Sequence, residues 1–109
     1  MQLPLHNQNR TMQLLNKTCL AGVPDLYAQD GKGDKALAYL KFFMDGWTWF
    51  LTEIDQQTGE AFGKVITSDC PEGELGYFSM IELSQWRGSV SQSVERDRRW
   101  TPKPLTECK

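Results

Sequence analysis

Hydrophobic and polar residues follow a strand-like pattern over residues 37–44 and 47–54, on both sides of Asp45-Gly46. This dipeptide is the strongest short signal for a two-residue hairpin turn. Such a turn sets four cross-strand pairs: Met44 with Trp47, Phe42 with Trp49, Leu40 with Leu51, and Ala38 with Glu53. Side chains alternate along a strand, so these pairs share one sheet face. The pattern therefore predicts a hairpin with one almost wholly apolar face that ends in a carboxylate.

The rest of the chain supplies more strands and two short helices. The patterns favour further strands at 62–67 and 75–78, a last one at 94–100, and an amphipathic helix at 10–20. Ser79 and Glu82 have capping-box spacing, which predicts a second helix from about residue 80 to 86. We expect an α+β fold, an antiparallel sheet of four to five strands with two short helices packed on one face. Residues 1–109 form a single domain, and we expect 1–8 and 105–109 to be mobile.

Composition is that of a soluble globular domain. The chain has 109 residues, 39% of them hydrophobic and 24% charged, which suits one modest core. It has no apolar run of the roughly 20 residues needed to cross a bilayer, and its start lacks a secretory signal. Cys19, Cys70 and Cys108 are odd in number and have no CxxC spacing, which favours free thiols. These features predict a cytoplasmic protein with no membrane contact, no bound metal and no cofactor.

Charge is unevenly distributed although the net charge is only −2. That value suits neither an acidic DNA mimic nor an overall basic DNA binder. One base, Lys64, accompanies seven acidic residues between 53 and 82: Glu53, Asp55, Glu60, Asp69, Glu72, Glu74 and Glu82. The segment from Trp86 onward is mainly basic. Either the acidic and basic residues of these two regions form ion pairs with each other across the fold, or one region binds a partner.

Four carboxylates are the strongest candidates for chemistry. Glu53 with Asp55 and Glu95 with Asp97 each have i, i+2 spacing, so each pair shares a face of an extended segment. Converging carboxylates can hold Mg²⁺ or Mn²⁺ or act as an acid–base pair. The alternative is structural, because an aspartate at a turn often caps its own backbone. His6 is the only histidine, which disfavours a Ser/His/Asp or Cys/His site.

A basic stretch near the end of the chain is a candidate nucleic-acid site. Arg96, Arg98 and Trp100 share one face if this stretch is a strand, with Arg99 beside them. Arginines next to an exposed aromatic ring can grip phosphates and stack a base. The alternative is a buried Trp100 with arginines paired to acidic residues, and the negative net charge favours it.

Aromatic residues also predict an interaction surface. Tyr39, Phe43 and Phe50 fall on the second face of the hairpin, which one helix layer leaves uncovered. They would contact a partner or a second copy of the chain, unless a terminal segment folds over them. We combine this face with the acidic loop residues Asp69, Glu72 and Glu74 as the predicted binding surface, since exposed charge of one sign favours docking onto a basic partner.

Several short motifs together resemble a known bacterial family. They are Trp49-Phe-Leu-Thr-Glu-Ile-Asp55, Ala61-Phe-Gly63, Glu74-Leu-Gly-Tyr-Phe-Ser79, Glu82-Leu83, Arg87-Gly88, Val94-Glu-Arg-Asp97 and Thr101-Pro-Lys-Pro-Leu105. Their order and spacing resemble domain of unknown function 2958 from about Thr11 to Leu105. The chain departs from that pattern in a shorter hairpin at Asp45-Gly46 and in the loop at Cys70.

The resemblance implies a genetic setting but no activity. Proteins that look like this are carried largely on plasmids, integrative elements and phages, beside genes for transfer and anti-restriction. We therefore favour a non-enzymatic accessory protein that binds a host or mobile-element protein, in defence evasion or element maintenance. A carboxylate- or metal-dependent enzyme acting on nucleotides or nucleic acid, and a single-stranded nucleic-acid binder, remain the alternatives.

Overall fold

The computed structural model of the protein describes residues 14–87 and 92–109. Seven strands and two short α-helices lie in these ranges, with 3-10 turns at Gly33–Lys35 and Leu105–Glu107. In chain order they are α1 (Lys17–Leu20), β1 (Leu37–Ala38), β2 (Leu40–Met44), β3 (Trp47–Ile54), β4 (Glu60–Thr67), β5 (Cys70–Ser79), α2 (Met80–Gln85), β6 (Glu95–Arg96) and β7 (Lys103–Pro104). The predicted α+β class is confirmed.

Five of the strands form one antiparallel sheet in the order β5-β4-β3-β2-β6, and β1 pairs with β7 beside it. The Asp45-Gly46 turn sets the predicted register, so Met44 lies opposite Trp47, Phe42 opposite Trp49, and Leu40 opposite Leu51. Asp45 has a φ of 51°, the left-handed conformation that Asp and Asn tolerate best among non-glycine residues.

The predicted pairing of Ala38 with Glu53 is wrong. Ala38 pairs with Lys103 of β7, and the register of β3 against β4 shifts between Leu51 and Glu53. Thr52 is the extra residue of this β-bulge, and an extra residue reverses the side-chain alternation that follows it. Glu53 therefore lies opposite Phe62, on the sheet face away from the helices.

Both short helices pack on one face of the sheet, as predicted. Leu20 of α1 and Met80 and Leu83 of α2 join the main core. Its sheet side chains include Phe42, Trp49, Leu51, Ile54 and Ala61. Asn16 caps α1 by accepting from the Cys19 N–H at 2.8 Å. Ser79 caps α2 by accepting from the Glu82 N–H at 3.2 Å, which is the Ser79 half of the predicted capping box.

The C-terminal segment covers the opposite face. Leu105 and Cys108 are fully buried with Ala36, Ala38 and Phe50 in a second apolar cluster. Trp100 packs against this cluster, and its Nε1–H donates to the Ala38 carbonyl at 2.9 Å. Residues 105–109, which we expected to be mobile, thus contribute two buried side chains. Residues 1–8 lie outside the described ranges.

Several predicted elements differ in extent. The strand expected at 75–78 runs from Cys70 to Ser79, so Glu72 and Glu74 lie on a strand rather than in the predicted loop. Residues 94–100 supply a strand only at Glu95–Arg96, because Arg98 and Arg99 form a turn. The expected helix over residues 10–20 is interrupted, since Leu15 and Asn16 are not helical, and its first part lies outside the described residues. None of the helices in the described ranges is long and apolar enough to cross a membrane.

Candidate binding groove

A long loop is fastened to the sheet by one buried glutamine. Gln29 lies in the loop between Val23 and β1 and is 6% exposed. Its amide Nε2 donates to the carbonyls of Leu37 at 3.0 Å and Thr52 at 2.9 Å. Its Oε1 accepts from the Leu37 N–H at 2.7 Å. The carbonyl of Thr52 in the bulge and both backbone groups of Leu37 at the start of β1 are therefore hydrogen-bonded to a side chain rather than to a neighbouring strand.

Glu53 fastens the same loop through its carboxylate. Oε1 accepts from the Tyr27 N–H at 2.9 Å, and Oε2 accepts from the Gln29 N–H at 2.7 Å. The side chain is 5% exposed. Two charge-assisted hydrogen bonds are what a buried carboxylate requires. Because the bulge turns Glu53 onto this face, the residue that we considered for catalysis holds a loop in place.

Tyr27 is held in an uncommon backbone conformation. Its φ is 72°, a left-handed value that is unfavourable for a residue with a large side chain. The hydrogen bond from its N–H to Glu53 supports this conformation. The ring is 63% exposed, so the strain is retained at a position where the side chain faces solvent. Strain of this kind clusters at functional sites, which makes Tyr27 a candidate contact residue.

Tyr27 forms one wall of a cavity of about 340 Å³, which we call groove 1. Its other lining residues come from the loop between Gln29 and Ala36, from β3, β4 and β5, and from Leu105. Leu75 and Tyr77 of β5 line it while 46% and 53% exposed. Tyr77 is fixed by an edge contact with Phe62, with ring centroids 4.9 Å apart. A side-chain hydrogen bond with Tyr27, then desolvation, raises the pKa of the Tyr77 hydroxyl.

A second cavity lies on the other face of β5 and measures about 500 Å³. We call it groove 2. Phe78 and Tyr77 of β5, Glu82 and Leu83 of α2, and Trp86 line it with Trp49, Ser79 and Gln85. Trp86 is 38% exposed and packs edge-on against Trp47 and Trp49, at 4.9 and 5.6 Å between ring centroids. Groove 2 therefore has a rigid aromatic wall beside an exposed carboxylate.

The four carboxylates singled out in the sequence do not converge. Asp55 Oδ1 accepts from the Gln57 N–H at 2.8 Å, and Asp97 Oδ1 accepts from the Arg99 N–H at 3.0 Å. Both aspartates therefore cap turns of their own backbone. Glu95 lies opposite Phe43 on the short strand β6. Within residues 14–87 and 92–109, no three Asp, Glu, His or Cys side chains are grouped so that they could hold a metal ion.

The residues of the basic stretch do not share one face of a strand. Arg98 and Arg99 are exposed on a turn, while Arg96 is half-buried on β6. The Trp100 ring packs against Phe50 at 5.4 Å between centroids, and the Lys103 ammonium lies 4.5 Å from its centroid. The ring is therefore engaged by the protein itself, although it is half-buried rather than buried.

The predicted aromatic surface is largely absent, and this prediction needs correction. Phe50 is fully buried because the C-terminal segment folds over it, and Tyr39 packs against the main core. Only Phe43 remains exposed, at 40%. The acidic residues Asp69, Glu72 and Glu74 are exposed, as expected. Desolvation, followed by the charges of Glu72 and Glu74, raises the pKa of the Cys70 thiol, which makes Cys70 a poor nucleophile.

Among the described residues, the most exposed aromatic side chains are instead Tyr27 and Tyr77, which the sequence reasoning missed. Tyr77 falls within a strand pattern that gives no sign of being at a sheet edge. Tyr27 falls in a loop whose path depends on the bulge at Thr52. The alternation of Leu75 and Tyr77 with Glu74 and Gly76 was the available signal, because it indicates an apolar strip on one face of a strand.

We predict that the backbone of Tyr27 is strained enough to be measured. Glycine adopts a φ of 72° without penalty, whereas alanine keeps the penalty. Tyr27→Gly should therefore be more stable than Tyr27→Ala by about 1 kcal/mol in chemical denaturation. Both variants lack the exposed ring, so the comparison isolates the backbone. An alanine variant as stable as the glycine variant would contradict the strain.

Fold and site together define a small α+β domain with two grooves on either side of one sheet edge, and with its prominent carboxylates engaged in backbone contacts. A family model describes such chains: residues 11–107 match the family "Protein of unknown function (DUF2958)". The chain belongs to this family, over nearly its whole length. Comparison with curated proteins and with solved structures gave no match.

Proposed function

We propose that this protein is a non-enzymatic binding module that docks onto a partner protein through the surface around β5. The observation that carries the proposal is groove 1, where Tyr27, Leu75 and Tyr77 are all more than two-fifths exposed around one cavity. Exposed aromatic and aliphatic side chains that are held rigidly are the usual anchors of protein interfaces.

The charge on the same edge strand favours a basic partner. Glu72 and Glu74 are exposed on the strand that carries Leu75 and Tyr77, and Glu74 projects from the opposite face of that strand. Asp69 is exposed in the adjoining turn. An acidic rim beside an apolar contact accelerates association with a basic surface and disfavours acidic partners.

The contacts of the carboxylates also support binding rather than catalysis. Glu53 accepts two backbone N–H groups, and Asp55 and Asp97 each accept from a turn. These oxygens act on the protein's own backbone. The genetic setting suggested by the sequence, with a host or mobile-element protein as the partner and the cytoplasm as the compartment, belongs to the same proposal.

Charge reversal on β5 tests the proposal. Glu72→Lys combined with Glu74→Lys should abolish recovery of the partner in a tagged pull-down from a nuclease-treated host lysate, with mass-spectrometric readout. Both residues are exposed, so the circular dichroism spectrum and the melting temperature should change little.

A matched control separates the site from the net charge. Glu95→Lys combined with Glu107→Lys makes the same change in charge at exposed positions of β6 and the C-terminal turn. This variant should recover the partner as the wild type does. Equal recovery by both double variants would show that the contact surface lies elsewhere.

A further inference from the structure

Strand β5 forms a long edge of the sheet. It runs for 10 residues, from Cys70 to Ser79, and ends the five-stranded order. No strand formed by residues 14–87 or 92–109 pairs with its outer side. A sheet edge offers unpaired N–H and C=O groups to another chain. An edge of this length exceeds that of a typical strand, about five or six residues.

The hydrogen bonds of β4 show which groups of β5 point outward. The Met80 N–H donates to the Gly59 carbonyl at 2.9 Å. The same register places Phe78 opposite Ala61 and Gly76 opposite Gly63. In an antiparallel pair, every second residue exchanges its hydrogen bonds with the partner strand. Phe78 and Gly76 therefore bond to β4.

Leu75 and Tyr77 lie between these positions, so their N–H and C=O groups point away from β4. The same two residues present their side chains to groove 1. The open backbone groups and the exposed apolar side chains thus occur at one place on the edge.

Grooves 1 and 2 flank this edge on opposite faces of the sheet. An added strand would place alternate side chains on the two faces, because alternation has a period of two residues. Side chains opposite Leu75 and Tyr77 would enter groove 1, where aromatic and aliphatic residues such as Phe62 stand beside the polar residues Asp30 and Thr52. The other set of side chains would project toward groove 2 over Gly76, where no atom of residues 14–87 or 92–109 lies within 4 Å of an added Cβ.

We infer that β5 binds an extended segment of a partner protein by antiparallel strand addition, and that this segment alternates apolar and basic residues. Rows of main-chain hydrogen bonds give affinity in such complexes, and pockets for alternate side chains give specificity. Apolar side chains fit groove 1. Basic side chains fit groove 2, where Trp86 offers an aromatic ring and Glu82 an exposed carboxylate.

Charge selects this occupant over a second copy of the chain. The exposed residues Glu72 and Glu74 lie on the edge strand itself. A second β5 would bring two further carboxylates to the same edge, and repulsion between charges of one sign disfavours that association. A basic segment would be attracted by them. The inference rests on the proposed function and adds to it the chemistry of the partner and the mode of contact.

The first experiment uses a defined peptide in place of the natural partner. An acetylated, amidated peptide of about eight residues that alternates valine and lysine has the length of an ordinary strand. Titration calorimetry should detect its binding to the full chain, and hydrogen exchange should show protection of the Leu75 and Tyr77 amides. A peptide with the same residues in two blocks, valines then lysines, should bind with an affinity lower by at least about tenfold. Failure of the alternating peptide to bind, or equal binding of the block peptide, would overturn the inference.

Methylated peptides test the backbone contact and leave the protein intact. Valines opposite Leu75 and Tyr77 turn their N–H groups toward β5, and the lysines turn theirs away. N-methylation of the valines should therefore abolish binding, whereas N-methylation of the lysines should preserve it. Equal binding of the two methylated peptides would show that the strand does not pair with this edge.

A variant pair tests the same contact from the side of the protein. Leu75→Pro removes an outward N–H without removing a bond to β4, as an edge position allows, and Leu75→Ala removes only the side chain. The proline variant should bind the alternating peptide about tenfold more weakly than the alanine variant. Equal affinities would contradict strand addition. In that case, the proposed function would still stand without strand addition if charge reversal at Glu72 and Glu74 abolished recovery of the natural partner.

Sedimentation distinguishes the remaining occupant. The wild type should be monomeric at the concentrations of the titration. A dimer that Leu75→Pro dissociates and Leu75→Ala preserves would assign the edge to a second copy of the chain and overturn the choice of partner.

Discussion

Gly63→Ala is expected to destabilise this protein strongly, and far more than Gly76→Ala on the neighbouring strand. A Cβ built at this position overlaps the carbonyl oxygen of Phe50 and lies 3.1 Å from the Cα of Leu51. Both neighbours are backbone, and Gly63 pairs directly with Leu51 beside the bulge. No side-chain rotation can relieve the overlap, so β3 and β4 must separate. We expect a loss of about 3 kcal/mol or more, at the upper end of overpacking effects.

Denaturation measures this loss, and the chain contains a matched control. Gly76 lies directly opposite Gly63 on β5, and no atom of the described residues lies within 4 Å of a Cβ at this position. Gly76→Ala should leave the midpoint of thermal unfolding nearly unchanged or raise it slightly, because alanine restricts the unfolded chain. Gly63→Ala should lower that midpoint by roughly 12 °C or more. Similar midpoints for the two variants would contradict the close approach of β3 and β4.

Glu53→Ala is expected to release the loop that forms groove 1. The substitution leaves the N–H groups of Tyr27 and Gln29 without their acceptors, at 2.9 and 2.7 Å in the wild type. Loss of two charge-assisted hydrogen bonds from a buried site should cost roughly 3 kcal/mol of unfolding free energy. Hydrogen exchange at the Tyr27 and Gln29 amides should accelerate more than exchange in β3. Unchanged protection of these amides would show that the carboxylate does not hold the loop.

Glu53→Gln separates the shape of the side chain from its accepting capacity. Glutamine keeps one acceptor oxygen but presents an amide NH₂ to the second N–H. Its stability should lie between that of the wild type and that of Glu53→Ala. Binding of the alternating peptide should weaken in the same order, because Tyr27 lines the groove that the loop positions. A catalytic role for Glu53 alone would not produce this graded loss of stability.

The sequence by itself determined the local elements of the main sheet. The Asp45-Gly46 turn fixed three of the four predicted cross-strand pairs, because a two-residue turn leaves no freedom in register. Ser79 and Glu82 placed the start of α2, because a capping side chain acts within one helical turn. These signals are local in the chain, and local chemistry is sufficient to fix them.

Only the tertiary structure decided where the candidate site lies. The bulge at Thr52 moved Glu53 to the opposite face, although its spacing from Asp55 suggested a shared function. Folding of Leu105 and Cys108 onto the second face buried Phe50, while the position of β5 at the sheet edge exposed Leu75 and Tyr77. Each outcome depends on contacts between residues far apart in the chain. Alternation within one strand shows which residues share a face, but the packing of distant segments decides which face remains open.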